Sequence, residues 1–125
     1  MRFAYLGSGS KGNAALIEAG TTTLMLDCGF SVSSAESRLA RRGRSPADVR
    51  VAEVHDCFTV MGAIGTEVLG KAAPGRGAAY WNDGKAAVDG ECAINSSGGL
   101  IAKGHPIGAT GVAMIGWSAR QLLGK

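Results

Sequence analysis

Three side chains in the sequence could take part in covalent or acid–base chemistry: His55, Cys57 and His105. His55 and Cys57 lie in the short stretch "VHDCF", and His105 lies fifty positions after His55 in the glycine-rich stretch "AKGHPIGATG". A cysteine thiolate is a nucleophile, and a neutral imidazole can accept a proton at one nitrogen while it donates at the other. A structural role also suits this pattern, because a single histidine in a glycine-rich loop is more often structural than catalytic. The residues alone leave both interpretations open.

A metal site is the second chemistry that these residue types allow. Zinc sites use at least three protein ligands, and the sequence contains two histidines in total. His55, Cys57 and His105 would have to form such a site together, but their spacing is not that of zinc ligands. We therefore expect no metal site.

The net charge of +3 comes from residues 1–50, which contain seven Lys and Arg residues against four Asp and Glu residues. Most of this excess is a cluster of four arginines: Arg38, Arg41, Arg42 and Arg44. The cluster could contact phosphate groups, but no aromatic residues alternate with it, and the solvated face of a helix is the better interpretation. We expect no nucleic-acid partner.

The cysteines and the hydropathy indicate the cellular compartment. Cys28, Cys57 and Cys92 form no CxxC pair, and their odd number argues against a disulfide framework, so we expect reduced thiols. No stretch approaches the ~18 apolar residues that span a membrane, and the N-terminus lacks the pattern of a signal peptide. These observations predict a cytoplasmic protein without a membrane partner.

Hydrophobic periodicity and turn residues predict strands at residues 2–6, 14–19, 22–27 and 51–54, and helices at residues 34–42, 58–70 and 110–123. The first three strands form an antiparallel meander, whose turn "GSGSKGN" lacks the spacing of a phosphate-binding loop. Ser33 and Glu36 predict a capping box, and Pro46 a one-turn helix. Residues 72–91 have no clear period and predict a long loop with room for one short strand or turn.

Two of the predicted helices carry an apolar stripe. In the helix at 58–70 the stripe is Phe58, Met61, Ile64, Val68 and Leu69, which predicts a mostly buried helix. In the final helix the stripe is Val112, Ile115, Ala119 and Leu122.

Residues 1–49 resemble the N-terminus of metallo-β-lactamase-fold hydrolases, on the strength of the motifs "GSGSKGN" and "LDCGFS". In that family the next strand ends in a histidine-rich metal motif. Here the chain continues into "VHDCFTV" instead, so the resemblance does not imply a metal site.

Residues 51–125 resemble the C-terminal half of a thiolase, of the branch with an HDCF motif that includes the sterol-carrier-protein thiolases. The motifs "EVHDCF", "INSSGG" and "AKGHPIGATG" carry this resemblance in order and spacing. It implies that His105 activates a nucleophilic cysteine, that His55 completes an oxyanion hole, and that Cys57 is the acid/base at the α-carbon. It also implies acyl transfer between coenzyme A thioesters.

Together the two resemblances predict a chimera that folds as one layered α/β domain. Residues 1–50 would supply an N-terminal antiparallel strand meander plus a helix, and residues 51–125 a truncated thiolase-like α/β half. The nucleophilic cysteine and the last strands of the thiolase family have no counterpart in this sequence, so we expect a catalytically incomplete scaffold.

The alternative is residual acyl-CoA binding or acyl transfer that uses His55, Cys57 and His105. No cofactor is expected, and a coenzyme A thioester would be the substrate. Unpaired sheet edges suggest a homo-oligomer.

Overall fold

A five-stranded mixed sheet organises the fold in the computed structural model, which describes residues 1–123. The strands lie in chain order: β1 (Arg2–Gly7), β2 (Ala14–Ala19), β3 (Thr22–Leu26), β4 (Val49–Glu53) and β5 (Ala93–Ile94). The first three strands are antiparallel, and β4 and β5 run parallel to β3. The predicted α/β domain with an N-terminal meander is thus confirmed, and strands from both sides of residue 50 share one sheet.

Helices cover both faces of this sheet. They are α1 (Val32–Ala40), α2 (Thr59–Val68), α3 (Gly77–Asn82), α4 (Gly99–Lys103) and α5 (Thr110–Leu122). On one face, residues of β2 to β5 pack against α1, α3 and the end of α2, with Leu16, Met25 and Leu39 among the most buried side chains. On the other face, Met114 of α5 packs against residues of β2 and β3.

The apolar stripes of α2 and α5 predicted the helices correctly, but only part of each stripe is buried: Leu69 is 2% exposed, and Val68 and Leu122 pack against the core clusters. Met61 and Ile64 are 37% and 43% exposed, while Gly62 and Thr66 face the interior. In α5, Val112 is 72% exposed, and the residues that face the sheet are Thr110, Met114 and Ser118.

The close approach of α2 to the end of β4 explains why small residues of this helix are the buried ones. A Cβ atom added to Gly65 would lie 3.2 Å from Val54 Cγ2. Small residues on this side therefore let the helix lie against the end of β4, and the larger apolar side chains face outward.

The structure corrects two local predictions and confirms a third. Residues 72–91 are not a simple loop, because α3 forms there despite its short, weakly periodic sequence. Ser31, not Ser33, caps α1 by accepting a hydrogen bond from the Ser34 backbone N–H at 3.4 Å. The turn at Pro46 is confirmed as a single 3₁₀ turn (Pro46–Asp48) with a capping box.

The arginine cluster is partly structural. The Arg38 guanidinium donates to the Leu6 carbonyl and lies 4.2 Å from the centroid of the Phe30 ring. Arg44 forms an ion pair with Glu18. Two of the four arginines therefore tie α1 and the following turn to the first strands of the sheet.

Candidate active site

The histidines meet at the carboxyl end of the parallel strands. The chain leaves β5, forms α4, and then crosses this edge of the sheet to place α5 on the opposite face from α1 and α3. The crossing segment, residues 104–109, carries His105 toward the end of β4, where His55 follows. Ligand sites of open α/β sheets lie outside the carboxyl ends of the strands, where the chain changes faces.

His55 and His105 contact each other directly. Their ring centroids are 4.7 Å apart and the rings meet edge to face, with an interplanar angle of 82°. His55 is half-buried and His105 is exposed. The structure thus brings together two of the three residues that the sequence singled out, in a place open to a ligand.

The Thr110 hydroxyl contacts the Nδ1 nitrogen of His105. The Thr110 hydroxyl lies 2.7 Å from His105 Nδ1 and 3.1 Å from the Pro106 carbonyl oxygen. The hydroxyl has one proton, and the carbonyl can only accept, so a hydroxyl that donates to the carbonyl accepts from Nδ1–H. A neutral His105 then has an unprotonated Nε2, which can act as a base.

The loop after β4 is held by two buried polar side chains. Asn95 extends the ladder between β4 and β5, because its Oδ1 accepts from the Val54 N–H at 2.7 Å and its Nδ2 donates to the Val54 carbonyl at 3.1 Å. Asp56 Oδ1 accepts from the Leu100 N–H at 2.7 Å, at the start of α4. The residues on either side of His55 are therefore fixed to "INSSGG", which explains why these two motifs occur together.

A buried carboxylate, Glu53, connects the same region to α4 and α5. Its side chain is 1% exposed and accepts from Ser97 Oγ at 2.6 Å and from Gln121 Nε2 at 3.3 Å. Lys103 Nζ lies 3.4 Å from Glu53 Oε2 and supplies the opposite charge. A buried carboxylate requires such partners, and here they fix the helices on both sides of the His105 segment.

Asp27 is a further acidic residue beside the histidines. It follows β3 with a positive φ of 57°, and its backbone N–H donates to the Glu53 carbonyl at 2.6 Å. Burial raises the pKa of the Asp27 carboxyl, whereas a hydrogen bond from the Cys28 N–H and attraction to His55 act in the opposite direction. The sequence marked Asp27 only as the end of a strand, and nothing in its spacing linked it to His55.

The three cysteines differ in accessibility. Cys57 is half-buried, whereas Cys28 and Cys92 are buried. Burial raises the pKa of Cys28 to about 11 and also raises the pKa of Cys92, so both thiols are poor nucleophiles at neutral pH. Within residues 1–123, no cysteine sulfur is hydrogen-bonded to the His105 ring.

Two further features concern the described residues. Among residues 1–123, no three His, Cys, Asp or Glu side chains are grouped as ligands of a metal ion would be. No helix in the same range combines the length and apolar character needed to cross a membrane.

The sheet order and the paired imidazoles define an α/β half-domain with its candidate site on the carboxyl edge. The family model described as "Thiolase C-terminal domain-like" matches residues 10–125, and the chain belongs to this family. The thiolase-like part of the sequence-based resemblance is therefore confirmed.

Individual relatives agree with this assignment. The chain is 39% identical over 98 residues to an acetyl-CoA acetyltransferase of Methanothermobacter thermautotrophicus, covering 76% of this chain and 26% of the relative. It is 40% identical over 99 residues to human sterol carrier protein 2, covering 78% of this chain and 18% of the relative. It is 40% identical over 80 residues to the benzoylsuccinyl-CoA thiolase subunit BbsB of Thauera aromatica, covering 64% and 21%. The chain thus spans about a fifth to a quarter of the length of these relatives.

Proposed function

We propose that this chain is the histidine-bearing half of a thiolase-like site, which binds an acyl-CoA thioester but does not complete acyl transfer by itself. The contact between His55 and His105, with His105 Nδ1 held 2.7 Å from the Thr110 hydroxyl, is the observation that carries the proposal. The names of two relatives, an acetyl-CoA acetyltransferase and a benzoylsuccinyl-CoA thiolase subunit, support coenzyme A thioesters as the ligand class.

Each site residue has a distinct role in this proposal. Nε2 of His105 accepts the proton of a nucleophilic thiol, and Thr110 keeps the ring in the tautomer that permits this. His55 donates to the thioester oxygen as negative charge develops on it. Cys57, two positions after His55, is the acid/base for the α-carbon.

The binding part of the proposal is tested by calorimetric titration with an unreactive thioether analogue of acetyl-CoA. Loss of one hydrogen bond in His105→Ala is expected to weaken binding about three- to tenfold. His105→Gln, which keeps a polar side chain, is the matched control and should lose less. Equal affinities in the wild type and in His105→Ala would refute the role of the histidine.

The second candidate function is acyl transfer to a thiol of this chain, and the partial exposure of Cys57 favours that residue. Incubation with acetyl-CoA followed by intact-mass measurement separates the two functions. We expect no stable acyl adduct on Cys28 or Cys92, because their thiols are buried and protonated. An adduct that depends on His105 and is absent from Cys57→Ser, formed with release of free coenzyme A, would instead show acyl transfer to Cys57.

We also propose that residues 1–49 have a separate origin, in a metallo-β-lactamase-fold hydrolase, and were joined to the thiolase-like part near residue 50. The motifs "GSGSKGN" and "LDCGFS" support this, although residues 10–49 also lie inside the region matched by the thiolase model. A comparison of residues 1–49 alone against both families is the test. A better match to the thiolase family would refute the chimera.

A further inference from the structure

An apolar trough lies between β1 and α5. We call it the α5 trough; its apolar lining consists of Phe3, Tyr5, Ala15, Leu26, Met114 and Ile115. Its volume is about 260 Å³. This is slightly below the ~300 Å³ at which sites for drug-sized ligands begin, so it suits a short, narrow molecule.

The arrangement of the sheet explains why this space is open. Phe3 and Tyr5 pair with Ile17 and Ala15 of β2 and therefore face the same side of the sheet as α5. The helix, however, packs over β2 and β3 and leaves β1 uncovered, so Phe3 and Tyr5 are 52% and 65% exposed. Their rings meet edge to face with centroids 4.8 Å apart, and they form one wall of the trough.

One end of the trough is polar and adjoins the candidate active site. Ser8, Asn13 and Asp27 line this end, and the Asp27 backbone N–H donates to the carbonyl of Glu53, two positions before His55. Gly111, also in the lining, directly follows Thr110, which holds the His105 ring. A ligand with its apolar end between the aromatic rings and α5 would therefore have its polar end at Asp27 and Gly111, on the side of the trough from which the chain leads to His55 and His105.

We infer that the α5 trough binds the alkyl part of an acyl group whose thioester carbonyl lies at His55 and His105. This inference rests on the proposed function and adds to it a preference for acyl chains longer than acetyl. It also assigns a binding role to residues of β1 to β3, where the chemical motifs are absent. Each methylene removed from water contributes about 0.8 kcal/mol, so even partial burial of an alkyl chain produces a measurable gain.

Two glycines of α5 provide a blocking variant and its matched control. A Cβ atom at Gly111 or at Gly116 would meet no heavy atom within 4 Å, and both residues are exposed. Gly111 lines the trough and Gly116 does not. A leucine at either position should be tolerated by the fold, and only Gly111→Leu should occupy the trough.

The experiment is a calorimetric titration of the wild type, Gly111→Leu and Gly116→Leu with ethyl and octyl thioethers of coenzyme A. We expect the octyl compound to bind the wild type and Gly116→Leu about tenfold more tightly than the ethyl compound. This preference should disappear in Gly111→Leu, whereas Gly116→Leu should keep the wild-type ratio of the two affinities. An unchanged octyl preference in Gly111→Leu, or no preference in the wild type, would overturn the inference.

If the proposed function is wrong, the titrations give a different result from the one expected when only the trough assignment is wrong. If neither thioether binds, coenzyme A recognition is wrong, and the trough is then probed with octanamide by saturation-transfer NMR. Saturation transfer from the rings of Phe3 and Tyr5 to octanamide, lost in Gly111→Leu, would support the trough as an alkyl site. No octanamide binding, or a dimer in sedimentation whose formation blocks it, would overturn the inference.

Discussion

The hydroxyl group of Thr110 sets the tautomer that we propose for His105. In the arrangement that we propose, Nδ1–H donates to Thr110 and the Thr110 hydroxyl donates to the Pro106 carbonyl, so a neutral ring keeps its lone pair on Nε2. The sequence contained a signal for this residue, a threonine five positions after the histidine at the start of a helix, but spacing alone does not show which atoms meet.

Thr110→Val tests this assignment without a change of side-chain volume. Loss of a hydrogen bond of about 1 kcal/mol should reduce the preference for the Nδ1–H tautomer about fivefold. Nitrogen-15 NMR of labelled His105 measures the tautomer populations directly. Thr110→Ser keeps the hydroxyl and should retain the wild-type spectrum; a Val variant with the same spectrum would show that Thr110 does not determine the tautomer.

Asp27 makes the stability of the fold depend on pH in an unusual direction. Burial raises the pKa of its carboxyl above the ordinary 3.8, so the folded chain holds this proton more tightly than the unfolded chain. The free energy of unfolding that this group contributes is therefore complete below pH 3.8 and is lost as the pH rises through the raised pKa.

Asp27→Asn removes this titration and keeps an oxygen that can accept from the Cys28 N–H. Asparagine also tolerates the positive φ of this position. We expect the difference in Tm, variant minus wild type, to increase from pH ~4 to neutral pH, as measured by thermal melts.

Asp48→Asn is the control with the opposite sign. Hydrogen bonds from Ser45 lower the pKa of the Asp48 carboxyl, so its contribution to stability is present above pH 3.8 and is lost as the pH falls through the lowered value. The stability deficit of Asp48→Asn should therefore be greatest at neutral pH. Parallel pH profiles for the wild type and Asp27→Asn would contradict the assignment to Asp27.

Among the secondary-structure elements, the short helix α4 depends on a glycine. Gly99 has a φ of 61°, and a Cβ atom there would lie 2.1 Å from Asp56 Oδ2. Asp56 can reach the Leu100 N–H only because this position has no side chain. Gly99 of "INSSGG" thus allows the Asp56 contact that holds the loop carrying His55 in place.

Gly99→Ala is expected to destabilise the domain well beyond the cost of backbone strain. Gly20→Ala is the matched control, because Gly20 has a similar φ of 57° but open space around it. The control should lose about 1–2 kcal/mol from the left-handed backbone alone. Gly99→Ala should lose at least about 2 kcal/mol more in urea unfolding; equal losses would show that the Asp56 contact is not constrained.

Across the complete domain, the segments on either side of residue 50 contribute to one buried core. Met25 of β3 and Ile94 of β5 are 1% and 2% exposed and belong to the same buried cluster. Both tryptophans, Trp81 and Trp117, lie in the second segment. Their fluorescence therefore reports a change made in the first segment only if the two segments unfold together.

Met25→Ala and Ile94→Ala should each reduce the free energy of unfolding by about 2–5 kcal/mol. Tryptophan fluorescence and far-UV circular dichroism should give one coincident transition in each variant. A tryptophan transition that Met25→Ala leaves unchanged would show that the segments are separate folding units.

The sequence by itself determined the order and type of most elements, the family of residues 51–125 and the identity of the two histidines. These features are local, since strand alternation, helical period and turn residues are properties of neighbouring positions. The weakly periodic α3 was missed, because its six residues are too few for a helical period to stand out.

Only the tertiary structure decided which stripes of α2 and α5 are buried, that His55 meets His105, and that Thr110 and Asp27 lie beside them. Hydrophobic periodicity shows that a helix has an apolar face, but the face that packs is chosen by how closely two backbones can approach. At Gly65 and Thr66 that choice favoured small residues over Met61 and Ile64. The candidate site joins residues from the ends of β3 and β4 and from the segment before α5, and contacts over such distances along the chain exist only once the sheet has brought those ends together.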